Sequence, residues 1–141
     1  RFFSLGARTD PMSIERLITG TGSRLSREGL GLYRRLLRRH GHVTSALRMM
    51  AGWDLETLDR DLPGLGARLL LVSAEGDRAV PPADAEQVAR AVPGAEIRRL
   101  AGLGHLAHEE APGEIVRILL EEGRAAGLLP VKGGPLRVVS P

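Results

Sequence analysis

The chain of 141 residues contains no cysteine, which excludes disulfide cross-links and thiolate metal or redox sites. Aromatic residues make up only 3% of it, so any core must be assembled from Leu, Val, Ile and Ala. No apolar run approaches the ~20 residues that a bilayer-spanning helix needs. No stretch has the pattern of a secretory leader, and a cysteine-free chain of this kind is expected in the cytoplasm. Lysine is almost missing as well. Of the 20 Lys and Arg residues, all but Lys132 are Arg, and the formal net charge is only +3. The acids are interspersed and no aromatics alternate with the basic residues, so the charge does not suggest a nucleic-acid partner. The remainder, 43% hydrophobic and 26% charged, is an ordinary soluble composition, and the length allows one domain at most. The first residue is Arg1 rather than Met and lies in an apolar patch with Phe2, Phe3 and Leu5, as expected of a chain cut from a longer one.

Helical spacing dominates residues 1–65. Asp10-Pro11 reads as an N-cap followed by Pro at the first helical position, with Ile14, Leu17 and Ile18 on one face. Gly20-Thr21-Gly22 ends that helix. Ser26 is the next cap, and Leu30, Tyr33, Leu36 and Leu37 follow at helical spacing. Arg34, Arg35, Arg38 and Arg39 fill the rest of that helix, and Gly41 is expected to stop it. A third helix is expected over 43–51, with Ala46, Leu47 and Met50 inward. Asp54 caps a short turn, and Pro63-Gly64 breaks the chain.

The pattern changes at Gly66. Residues 68–73 form a short continuous apolar run, as in a strand covered on both faces of a parallel sheet. A polar loop over 74–81 leads into a helix over 82–91, with Ala85, Val88 and Ala91 inward. A second strand covers 95–100, and a loop over 101–112 precedes a last helix over 112–126, with Ile115, Ile118 and Leu119 inward. Strand, helix and strand here have about the length, ~30 residues, of a βαβ unit. The predicted organisation is therefore a helical region (1–65), an α/β segment (66–126) and a flexible Gly- and Pro-rich tail (127–141).

In an open parallel sheet, ligands bind beyond the carboxyl ends of the strands. Asp77 lies in the loop after the first strand and His105 in the loop after the second. If the strands are neighbours, both side chains emerge at one edge. A carboxylate that accepts the imidazole N–H and a His that acts as general base are two of the three members of a nucleophilic triad. Competing readings exist for each residue. An Asp after a strand is often only a turn residue. His105 and His108 stand three residues apart, short of the i, i+4 spacing of helical metal ligands, so no metal site is expected. Glu109 and Glu110 read as acids favoured by a nearby helix N-terminus. The four arginines read as a solvated face or as a docking surface for an acidic partner. Met49, Met50 and Trp53 read either as packing against the sheet or as the adaptable apolar wall of a substrate pocket.

The segments LLLVSAEGDRAVPP and AEIRRLAGLGHLAHEEAPGEI resemble the C-terminal part of the α/β-hydrolase family. The resemblance implies an α/β fold in which the helices of 1–65 form the cap and 66–126 the last strand–helix–strand–helix of a parallel sheet. It also places the triad acid at Asp77 and the triad His at His105. The wording GTGSRLSREGLGLYRRLLRRHGHVTSALRMMAGWDLETLDRDLPGL resembles one branch in particular, the magnesium chelatase accessory proteins of bacteriochlorophyll synthesis. That branch implies a small hydrophobic substrate or a porphyrin intermediate as ligand, chelatase subunits as partners, and no cofactor. Nothing here resembles the family's G-x-S-x-G nucleophile elbow, since neither Ser23 nor Ser73 has that setting. The nucleophile is thus expected upstream, in a protein about twice as long, and the chain alone is expected to be inactive. Whether the whole acts as a hydrolase or as a non-catalytic binding scaffold stays open at this point.

Overall fold

The structure, a computed structural model, describes residues 11–130. The Phe2–Leu5 patch, the Asp10 cap and most of the expected tail (131–141) lie outside the described residues. Four α-helices come first: α1 (Pro11–Gly20), α2 (Arg27–Leu37), α3 (His40–Ala51) and α4 (Leu55–Asp61), the last running into a 3-10 turn over Leu62–Gly64. Side-chain caps fix two of the starts. Ser26 Oγ accepts the Gly29 N–H at 3.1 Å. Asp54 accepts the Thr57 N–H at 3.0 Å and the Thr57 hydroxyl at 2.7 Å, and these bonds hold its carboxyl below the ordinary value.

Two expectations fail in this region. Gly41 does not stop a helix: α2 ends at Leu37, and Gly41 is the second residue of α3. Arg38 keeps a helical conformation and Arg39, extended, takes the N-cap position of the next helix without a side-chain cap bond, so the break takes two residues and needs no glycine. The inward stripes are also narrower than the spacing suggests. Ile14 and Ile18 are buried but Leu17 is exposed, and on α3 Leu47 and Met50 face outward.

The α/β segment follows as β1 (Leu70–Ala74), α5 (Pro82–Ala91), β2 (Glu96–Leu100), α6 (Ala107–Glu110) and α7 (Pro112–Ala125). The strands pair in parallel, Leu70 opposite Glu96 through Ala74 opposite Leu100. Ala74, Leu100, Ala107 and Ile118 form a small buried core, with Leu70, Leu103 and Ile115 packed on it. Full burial of a residue such as Leu100 contributes about 1.5–3 kcal/mol. At the opposite end of the sheet, Arg68 pairs with Glu96 at 2.9 Å and with Glu122 of α7 at 2.7 Å. Arg98 adds a looser pair to Glu122 at 3.6 Å. The short α6 was not expected; it occupies what reads in sequence as a plain loop. Past α7, the N–H groups of Leu128 and Leu129 both reach the Gly123 carbonyl, at 2.8 and 3.0 Å. The first residues of the expected flexible tail are therefore folded back on the helix.

β1 is not covered on both faces by the described residues: Val72 is 43% exposed. Leu119, expected inward, is 63% exposed. A two-stranded sheet is marginal without further strands or cover. In the isolated chain, Leu100→Ala should lower the unfolding free energy by about 2–5 kcal/mol. Leu119→Ala should change it by no more than about 0.5 kcal/mol. Urea melts followed by circular dichroism check both, and a large loss at Leu119 would mean that this face is covered after all.

Candidate active site

Because β1 and β2 run in parallel, the loops leaving their carboxyl ends start side by side. Glu75 N–H reaches the Leu100 carbonyl at 3.0 Å, and Gly76 N–H reaches the Leu103 carbonyl at 2.9 Å. A third segment, the turn after α1, docks on both loops. The Thr21 carbonyl accepts the N–H of Arg78 at 3.0 Å and that of His105 at 3.4 Å. Glycine makes this approach possible. Gly22 adopts φ +87°, and a Cβ there would collide with the Gly76 carbonyl. A Cβ on Gly104 would collide with the backbone of Gly22 and Ser23. Only residues without side chains let backbones come this close.

On this junction sit the two residues singled out by their place after the strands. Asp77 and His105 meet, with Oδ2 of the carboxylate 3.0 Å from Nδ1 of the imidazole. The turn-residue reading of Asp77 holds, and its two oxygens have different partners. Oδ1 accepts the N–H groups of Ala79 and Val80, each at 2.8 Å, which closes a side-chain turn. Oδ2 is left for the imidazole. Burial pushes the Asp77 pKa up, but the Val80 N–H, the His105 ring and the Ala79 N–H outweigh it and hold the carboxyl below its ordinary value. An ionised carboxylate can only accept, so Nδ1 carries the donated proton and Nε2 is the basic nitrogen. The His105 side chain is 38% exposed and that of Asp77 only 12%, so the anion is screened while the imidazole remains reachable.

The sequence gives no hint of three further participants. Ser23 is completely buried. Its Oγ accepts the Leu106 N–H at 2.8 Å and lies 3.2 Å from the Thr21 hydroxyl, so it is a structural acceptor. Glu110 accepts the Gly104 N–H at 2.9 Å and the Arg24 N–H at 3.0 Å. Tyr33 donates its hydroxyl to Glu109 at 2.6 Å. Glu109 and Glu110 do lie in the first turn of a helix, α6, as the dipole reading expects, and in addition both bind the helical region. Their partners are 76 and 86 residues away in sequence, beyond the reach of any local spacing rule. Burial and the neighbouring Glu109 push the Tyr33 phenol up to about 12.

An open groove of about 470 Å³ runs along α2 and α6, lined by Leu32, Tyr33, Arg35, Leu36, Arg39 and Glu109. Met49, Met50 and Trp53 do not line it. They are exposed, Trp53 by 57%, and so do not pack against the sheet. Of the four α2-region arginines, Arg35, Arg38 and Arg39 face solvent, whereas Arg34 is half-buried. His108 Nε2 lies 3.6 Å from Glu109. Among the described residues, no group of three His, Asp or Glu is placed to hold a metal ion. No described helix is long and apolar enough to cross a membrane.

A sequence model of the alpha/beta hydrolase family matches residues 3–118. This chain belongs to the alpha/beta hydrolase family. It is 38% identical over 108 residues to the magnesium-chelatase 30 kDa subunit of Rhodobacter capsulatus. That match takes in 77% of this chain but only 38% of the relative's length. Among solved structures, an alpha/beta hydrolase fold protein from Nakamurella multipartita matches 82% of this chain and 47% of its own, with 22% identity and a TM-score of 0.44. This alpha/beta hydrolase chain thus spans less than half the length of either protein.

Two titrations probe this geometry. Tyr33 is the chain's only tyrosine, so phenolate absorbance should report a single transition near 12. Glu109→Gln should bring that transition back toward 10. The Asp77 carboxyl is depressed in the fold, so its ionised form contributes stability above its ordinary value of 3.8. That contribution is lost as pH falls below it. Asp77→Asn should flatten this acid limb in denaturation midpoints measured between about pH 6 and pH 2.

Proposed function

We propose that the chain is part of a serine-hydrolase-type protein acting in magnesium insertion during bacteriochlorophyll synthesis. Asp77 orients His105, and His105 is the general base for a serine supplied by sequence upstream. In this reading residues 1–65 form the cap, 66–126 the last part of the hydrolase core and 127–141 a tail. Nε2 of His105 takes the serine proton as Oγ attacks an ester carbonyl. The resulting imidazolium then returns the proton to the leaving oxygen. The exposed Met49, Met50 and Trp53 provide apolar surface for a hydrophobic substrate. One observation carries the reading: the 3.0 Å contact between Asp77 and Nδ1 of His105 at the carboxyl ends of the strands. The biosynthetic setting rests on the likeness to the magnesium-chelatase 30 kDa subunit.

The wording of that relative also favours a second reading. A hydrolase fold can serve as a scaffold, because fold alone does not fix function. The protein would then bind the chelatase or a porphyrin intermediate, and the solvent-facing Arg35, Arg38 and Arg39 would suit an acidic partner surface. The readings separate in the whole protein that carries this chain. With catalysis, His105→Ala and Asp77→Asn should each lower p-nitrophenyl ester turnover by about 10³-fold or more, with circular dichroism unchanged. Magnesium-porphyrin formation should fall with it. Unaltered magnesium insertion in a folded His105→Ala protein would favour the scaffold.

A further inference from the structure

The Asp77 contact fixes the His105 ring, but a ring is only as well placed as the backbone that carries it. Three successive N–H groups surround that backbone, and each has its own acceptor. Gly104 donates to Glu110 Oε1 at 2.9 Å. His105 donates to the Thr21 carbonyl at 3.4 Å. Leu106 donates to Ser23 Oγ at 2.8 Å. Two of these acceptors belong to the turn after α1. That turn is itself fastened by Glu110, whose Oε2 accepts the N–H of Arg24, the residue after Ser23, at 3.0 Å.

We propose that Glu110 is a positioning residue for His105, acting through the backbone of residues 104–106 and of the 21–24 turn. The chemistry calls for a carboxylate. Two N–H donors converge on one side chain, and a carboxylate offers an oxygen to each. Bonds to an ionised acceptor are roughly twice as strong as neutral ones. Glutamine has nearly the same shape but presents an NH₂ group to one of the two donors, so the bridge breaks while the volume is kept. Loss of Glu110 releases the Gly104 N–H directly. It also removes the Arg24 N–H bond that ties the 21–24 turn, which holds the other two N–H groups, to α6. The backbone under the imidazole then keeps its Thr21 and Ser23 acceptors on a less firmly fastened turn.

The proposal extends the hydrolase reading, and two measurements on the whole protein keep the two apart. The first is the proton resonance of the hydrogen-bonded His105 Nδ1–H, assigned by its absence in His105→Ala. In Glu110→Gln and Glu110→Ala its exchange with water should speed up by about tenfold or more, or the signal should broaden away. The second is ester turnover. The kcat should fall about tenfold to a hundredfold, the scale of a misplaced catalytic group, with KM within about twofold. Glutamine should be the milder change. A folded Glu110→Gln protein with unchanged exchange and unchanged kcat overturns the proposal. Failure of both variants to fold also overturns it, since Glu110 would then be a residue of the fold alone. If His105→Ala does not lower turnover, the hydrolase reading fails, and the exchange measurement still decides the role of Glu110.

Discussion

Everything at the carboxyl end of this sheet depends on three stretches of main chain approaching with no side chain between them. Gly22, Gly76 and Gly104 belong to three different loops, and each leaves room for the backbone of another. The contact is one of excluded volume, with an all-or-none character that a hydrogen bond lacks. A methyl group in the wrong place cannot be accommodated by a small rotation, because the nearest atoms it would meet are main chain. Carbonyls and N–H groups in this region would otherwise be starved of water. They find one another instead: Thr21 serves both strand-end loops, and Leu103 serves Gly76.

That crowding explains how a single aspartate performs two tasks. One oxygen of Asp77 shapes its own loop and the other faces the imidazole. A side chain that also closes its own turn has little freedom left, so the carboxylate meets His105 with its direction already set. In this arrangement electrostatics and local conformation reinforce each other. The same hydrogen bonds that order the loop keep the acid ionised despite its burial.

The parts legible from sequence were those governed by short-range rules. Ser26 and Asp54 cap helices where a hydroxyl or carboxylate precedes an amphipathic run. The helix over Pro82–Ala91 has the expected bounds, set by Pro before it and Pro93-Gly94 behind it. The proximity of Asp77 and His105 follows from parallel strands joined by one helix. The parts that were not legible depend on contacts across many residues. Ser23 looks like any loop serine until Leu106 is placed over it, and the place of Glu110 at a helix terminus does not show that Arg24 and Gly104 converge on it. Gly41 illustrates the opposite error: a local rule for glycine gives way when the helix before it has already ended. The outward-facing Leu47, Trp53 and Leu119 show that periodicity marks which residues are apolar. It does not show whether anything lies against them.

The two ends of the sheet are secured by different physics. At the carboxyl end the grip comes from steric fit and from hydrogen bonds around buried Ser23. At the amino end it comes from Arg68 and Arg98 gathered on Glu122, with both arginines about half exposed. Dissolved ions weaken attraction between exposed charges but do not reach into a backbone junction. Brine would therefore slacken the ionic grip on Glu122 at the strands' entry while the backbone junction at their exit stayed locked.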